Sequence, residues 1–112
     1  MNDLEFYETL DNYLEQGINA VLITVVESRG STPRGAGAKM AILENGKSIG
    51  TVGGGCVEAK IRSTALKILL ESHEPEVVTN YLNDQVGVED GDICGGTLTV
   101  LIEYLTRPVP AK

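Results

Sequence analysis

The stretch Gly50-Thr-Val-Gly-Gly-Gly-Cys-Val-Glu58 limits what this chain can fold into more than any other. A strand-like run, Ser48 to Val52, enters it, and an amphipathic helical pattern starting at Val57 leaves it. Between them stand Gly53, Gly54 and Gly55, followed at once by Cys56. Glycine in a regular element costs about 0.5–1 kcal/mol relative to alanine. A fold therefore keeps three in a row where the backbone needs positive φ angles or a ligand must come close to the main chain. The loop ends where a helix begins. The unsatisfied N–H groups and the positive dipole end there favour an anion or a thiolate. This strand–loop–helix path is the first candidate site.

The two cysteines, Cys56 and Cys94, both sit beside glycines, in Gly-Gly-Gly-Cys and Cys-Gly-Gly. Structural cysteines usually have bulky apolar neighbours, so the pattern suits exposed, usable thiols, with small buried fillers as the alternative. A permanent disulfide is disfavoured in a reducing compartment. The acidic N-terminus, Met-Asn-Asp-Leu-Glu-Phe, lacks the basic start of a signal peptide, so cytoplasm is the expected location. No apolar run approaches the roughly 18–20 residues of a membrane-spanning helix. A formal net charge of −7 argues against nucleic acid and against an anionic membrane surface, since both select clustered Lys and Arg. At 112 residues, 42% of them hydrophobic, the chain can bury one core without staples. With only Phe6, Tyr7, Tyr13, Tyr81 and Tyr104 as aromatics, that core must be aliphatic.

In chain order, Leu4 to Gln16 predicts a helix with Leu4, Tyr7, Leu10 and Leu14 on one face, flanked by Phe6 and Tyr13, capped by Asn2 or Asp3 and stopped by Gly17. Ala20 to Val26 is a continuous β-branched run, suited to a strand covered on both faces. Ser28 to Gly37 carries three glycines and a proline, which predicts irregular structure. It sets Arg29 and Arg34 among the hydroxyls Ser28, Ser31 and Thr32. Guanidinium forks and hydroxyl donors suit an oxyanion such as phosphate; the alternative is a solvent loop whose arginines pair with nearby Glu.

Ala38 to Leu43 and Ser48 to Val52 flank Asn45-Gly46, the favoured type I′ hairpin turn. Such a hairpin carries the Arg29/Arg34 loop and the Gly53–Cys56 loop to the same end of the sheet. Val57 to Glu71 predicts a second helix, with Val57, Ile61, Ala65, Ile68 and Leu69 as its apolar stripe. Glu58 in its first turn is either a dipole partner or a carboxylate presented beside Cys56. His73, just past the helix end, is expected in solvent. Glu76 to Leu82 predicts a strand, Asn83 to Gly96 a loop rich in acids and glycine, and Thr97 to Tyr104 the last strand. The loop's acids lack EF-hand spacing, so no dedicated metal site is expected. The sum is a single α+β (or α/β) domain, residues 1–112. Its mixed sheet has about five strands and carries two helices, the helical crossover favouring a parallel pair.

Three stretches together resemble the N-terminal domain of the XdhC/CoxI family: Gly30-Ser-Thr-Pro-Arg34, Gly50-Thr-Val-Gly-Gly-Gly-Cys-Val-Glu58, and Cys94-Gly-Gly-Thr-Leu-Thr-Val-Leu-Ile-Glu103. These are maturation factors of xanthine dehydrogenase and carbon monoxide dehydrogenase-type molybdenum hydroxylases. The resemblance implies a chaperone that binds molybdenum cofactor as cargo and assists its sulfuration or insertion into a hydroxylase apoenzyme. It places Ser31, Thr32 and Arg34 in the family's first loop, Gly53, Gly54, Gly55, Cys56 and Glu58 in the second, and Cys94, Gly95 and Gly96 in the third. Arg29 or Arg34, the glycine N–H groups and the helix N-terminus then suit the cofactor's phosphate. Cys56, held toward thiolate, suits its metal (as a ligand of the molybdenum) or the carriage of sulfur, with Cys94 as partner.

A cysteine desulfurase is an implied further partner. Longer family members continue into a C-terminal Rossmann-like domain absent from this sequence, which implies a separate polypeptide supplying it or a domain that binds its cargo alone. No general base stands out, so a binding factor is expected rather than an enzyme. The alternatives are a module that docks on the target enzyme or sulfur donor without holding cofactor, and, lower, a thiol-redox protein, since Cys56 and Cys94 form no Cys-x-x-Cys motif. Sheet edges in so small a domain also allow a homodimer.

Overall fold

The structure is a computed structural model that describes residues 2–30, 35–52, 55–81 and 96–107, with residues 55–58 described as backbone only. Helix α1 spans Asp3–Glu15, and strand β1 spans Ala20–Gly30. The hairpin β2, Lys39–Leu43, and β3, Ser48–Gly50, follows. Helix α2 runs Gly55–Lys67 and continues as a π-helical turn over Ile68–Ser72. Strands β4, Glu76–Tyr81, and β5, Gly96–Leu105, complete the fold.

The sheet has the order β3-β2-β1-β5-β4. Five strands and two helices in an α+β arrangement agree with the sequence, but the expected mixed sheet is corrected. Every pairing among the described residues is antiparallel. The helical crossover does connect two strands of like direction, β3 and β4. They stand at opposite edges, with three antiparallel strands between them, so the crossover creates no parallel pair.

The sheet's two faces carry different helices. Val21, Ile23 and Val25 of β1, Met40 and Ile42 of β2, and Leu98, Val100 and Ile102 of β5 meet Ile61, Ala65, Ile68 and Leu69 of the α2 segment. Of the stripe predicted for α2, Ile61, Ala65, Ile68 and Leu69 thus form its buried face, while the side chain of Val57 lies outside the described residues. On the other side Phe6 and Leu10 of α1 pack on Ala20, Ala41, Leu43 and Ile49. Here the helix is turned from its expected phase: Phe6 and Leu10 are buried, whereas Leu4 and Tyr7 are exposed. Tyr13 and Leu14 extend this stripe at i+7 and i+8 from Phe6. The start of α1 is fixed by a capping box between Asn2 and Glu5, and its end by Gly17 at φ 86° in a Schellman arrangement.

Two local expectations are corrected. Asn45-Gly46 does not form a type I′ turn. Only Gly46 takes a positive φ, and the amide of Gly46 donates to the carbonyl of Leu43 while that of Leu43 donates to Lys47. This is a three-residue loop, a type I turn followed by a left-handed glycine. Ser28, Arg29 and Gly30 are not irregular. They continue β1 because β5 supplies a ladder partner for each, namely Leu98, Thr97 and Gly96. A bulge at Val26 adjusts the register between the two stretches of pairing. His73 ends the π-turn at φ 59°, with its ring stacked on Tyr104 at 4.0 Å between centroids, so it is exposed yet held.

Candidate functional site

One end of the sheet collects the strand ends from which the candidate loops depart. Antiparallel alternation brings together the exits of β1, β3 and β4 and the entries of β2 and β5. Helix α2 points its N-terminus the same way. Its far end is tied to the start of β4 by Lys67 Nζ, 3.2 Å from Glu76 Oε2, so its beginning lies toward the exit of β4. The helix starts at Gly55, two residues earlier than its periodicity predicts, which puts Cys56 and Glu58 in its first turn. That turn lies at the same end of the sheet as the gathered strand ends, and a helix N-terminus favours negative charge.

The strand ends lie in two tiers. Gly50 is level with Met40 and, through it, with Ile23. Arg29 is six residues further along β1, a rise of about 16–20 Å at roughly 3.3 Å per residue, the bulge taking up part of it. The β1–β5–β4 ribbon thus projects beyond the hairpin. Arg29 sits near its tip, exposed, with Nε and Nη2 3.0 and 2.8 Å from Glu27 Oε2. An exposed pair of this kind contributes only about 0–1 kcal/mol.

Two glycines at the borders of these loops have a defined packing reason. A side chain at Gly96 would place its Cβ 2.1 Å from the carbonyl oxygen of Arg29, so β1 and β5 meet here too closely for any other residue. At Gly50, φ is +74° and a Cβ would lie 2.7 Å from the carbonyl oxygen of Lys39. The exit of β3 into the glycine loop is thereby pinned against β2.

Two residues at this end escape sequence inspection. Lys39, largely buried, donates from Nζ to the carbonyl of Gly37 at 2.9 Å, lies 3.5 Å from Asp3 Oδ2 and stands over the Tyr7 ring. It braces the return of the first loop against the N-terminus of α1. A lysine at a strand start carries no periodic signal, and its partners are more than thirty residues away in sequence or on the backbone. Asn80 is the buried polar side chain among the described residues. It sits near the exit of β4 in the row of Leu98 and Ser28, on the face that α2 covers. Its place in an alternating strand was the available signal.

Of the residues singled out in the sequence, Ser31, Thr32, Arg34, Gly53, Gly54, Cys94 and Gly95 lie outside the described residues, as do the side chains of Cys56 and Glu58. Among the described residues no group of three His, Cys, Asp or Glu side chains could hold a metal ion. No helix among them is long and apolar enough to cross a membrane.

Comparison with known proteins bears on this site. The chain is 35% identical over 97 residues to the molybdenum cofactor insertion chaperone PaoD of Escherichia coli, a match that covers 87% of this chain and 30% of that relative. It is 45% identical over 56 residues to a Bacillus subtilis protein named as a probable subunit of xanthine dehydrogenase, covering 50% of this chain and 17% of the relative. A crystal structure described as a xanthine dehydrogenase from Bacillus halodurans superposes with a TM-score of 0.76 at 31% identity, over 93% of this chain and 30% of that one. The chain therefore spans less than a third of the length of these relatives. The model of the XdhC and CoxI family matches residues 13–81, from the last turn of α1 to the end of β4 and more than half of the sequence. The chain belongs to the XdhC and CoxI family.

Proposed function

We propose that this chain is a maturation factor that binds molybdenum cofactor as cargo at the gathered strand ends and assists its sulfuration or its insertion into a hydroxylase of the xanthine dehydrogenase type. The observation that carries the proposal is the convergence of the β1, β3 and β4 exits with the N-terminus of α2 at one end of the sheet. Similarity to a molybdenum cofactor insertion chaperone supports the choice of cargo. In this reading residues 1–112 act as one cargo-binding domain. Arg29, Ser31, Thr32 and Arg34 offer cationic and hydroxyl donors to the cofactor's phosphate, joined by the backbone amides of Gly53, Gly54 and Gly55. Arg29 can exchange its weak pairing with Glu27 for such an anion. Cys56, in the first turn of α2, handles the sulfur or the metal of the cargo, since a helix N-terminus favours the thiolate form of a cysteine; Cys94 is its partner and Glu58 a further cargo-binding residue. Gly95 and Gly96, of the third loop that the resemblance implies, are further cargo-binding residues in this proposal. The partners in this proposal are the hydroxylase apoenzyme and a cysteine desulfurase.

The test is to purify the 112-residue chain with molybdenum cofactor and to quantify bound pterin and molybdenum. Arg34→Ala should weaken retention of pterin at least about tenfold, as expected for a lost charge-assisted pair. Cys56→Ser should retain pterin yet fail to support activation of the target enzyme. If the chain retains no cofactor, but captures the target enzyme with both cysteines replaced, it is a docking module instead.

A further inference from the structure

The two edges of the sheet are finished differently, and the difference points to a partner. Strand β3 is three residues long, ends at Gly50, and has its one apolar side chain, Ile49, buried against α1. A short edge of this kind resists pairing with another chain. Strand β4, at the other edge, is six residues long and pairs with β5 without a register shift. It contains no proline or lysine. On the face that α1 leaves uncovered it presents Val77, Thr79 and Tyr81, with Val77 66% and Tyr81 52% exposed. The one charge in the strand, Glu76, is at its start and is paired with Lys67.

We infer that β4 pairs with β4 of a second copy of this chain, antiparallel about a two-fold axis at Thr79, joining the two sheets edge to edge. The pleat selects this register. In an antiparallel pair, residues directly opposite each other point to the same face. Full overlap, with Glu76 opposite Tyr81, would oppose side chains on different faces and is excluded. The axis at Thr79 gives the longest overlap that keeps both apolar residues in the ladder. Val77 then lies opposite Tyr81 of the second copy, twice by symmetry, Thr79 meets its own counterpart, and Glu76 falls outside beside Lys67. An aromatic residue opposite a β-branched one is a favourable cross-strand pair. An isologous two-fold lets one strand supply both halves of each contact, which an unrelated strand would have to match independently. The ladder from Val77 to Tyr81 holds no charge, so the net negative charge of the chain is not concentrated at the contact.

A strand pair of this length is smaller than a standard interface, so the dimer should dissociate on dilution, with Kd on the order of micromolar. Sedimentation of the 112-residue chain over a concentration series should show this. Thr79 is exposed and bonds Thr99 through its hydroxyl at 3.1 Å, so charged substitutions there leave the fold intact by circular dichroism. Thr79→Lys and Thr79→Asp each place like charges across the axis, and each should weaken dimerisation at least about tenfold. Mixed in equal amounts, the two variants should dimerise again, because only the mixed pair opposes unlike charges. A single-chain mass for the unsubstituted protein at every concentration overturns the inference. So do single variants that dimerise normally, and so does a mixture that stays monomeric. The inference is independent of cargo binding, which these variants should leave unchanged.

Discussion

Strand β2 lies between two helices, whereas β4 carries a helix on one face and exposes the other. The difference is written in the side chains. Met40, Ala41, Ile42 and Leu43 are four consecutive buried residues, alternate ones facing α2 and α1. In β4 the partly or fully buried positions, Val78 and Asn80, alternate with exposed Val77, Thr79 and Tyr81. A doubly covered strand is a stability element. A singly covered edge strand contributes one face to the core and keeps the other for contacts outside the domain. The molecule thus separates an anchored half from a half that projects the β1–β5–β4 ribbon toward the candidate site.

The largest expected effect lies in the anchored half. Ile42 is fully buried among Val21, Ile23 and the α2 stripe. Ile42→Ala should destabilise the domain by about 2–5 kcal/mol, the cost of lost burial and an unfilled cavity. Urea unfolding followed by circular dichroism measures it. A loss below about 1 kcal/mol would mean that the core relaxes around the site, and the contrast between the halves would not hold.

The seam between β1 and β5 sharpens the comparison. Gly96→Ala sets a methyl group against the carbonyl oxygen of Arg29, and this atom cannot rotate away as a side chain could. The ribbon must separate at its open end, at an expected cost of about 1–3 kcal/mol. Hydrogen exchange should accelerate at Ser28, Arg29 and Leu98 and remain slow at Val21 and Ile42. Uniform acceleration through the sheet would show that the projecting ribbon and the anchored half open as one unit.

How far these contrasts can be read from the sequence depends on the range of the signal. The continuous run from Ala20 and the apolar stripe Ile61, Ala65, Ile68 and Leu69 are local, and they predict burial correctly except at Val26, which the bulge leaves exposed. The rotation of α1 that buries Phe6 in place of Leu4 and Tyr7 depends on where Gly50 and Ile49 come to lie against it, which periodicity does not encode. The extension of β1 through Ser28-Arg29-Gly30 has no apolar pattern, and a ladder partner more than sixty residues away decides it. The all-antiparallel sheet was hidden for the same reason. The crossover shows that β3 and β4 point alike, but not that three strands stand between them. In the candidate site, the sequence points to a strand–loop–helix path and to the convergence of the loop ends, both of which follow from the hairpin and the helix start. It does not show that Gly96 is required by strand packing, or that Lys39 is held among Asp3, Gly37 and Tyr7.

The smallest expected effect tests the open face itself. Val77→Thr keeps a β-branched side chain of nearly the same volume and replaces one largely exposed methyl group by a hydroxyl. In the monomer this should change stability by less than about 0.5 kcal/mol, as for other surface substitutions. The corresponding change at a doubly covered position, Ile42→Thr, would bury a hydroxyl and open a cavity, costing several times more. Unfolding must be measured on dilute protein, because association adds concentration-dependent stability to the folded state. At high concentration the same Val77→Thr variant should lose part of that added stability, since Val77 faces Tyr81 of the second copy in the inferred dimer. If Val77→Thr costs more than about 1 kcal/mol in dilute protein, that face of β4 is covered within the single chain. The contrast between an anchored and an open half would then have to be redrawn.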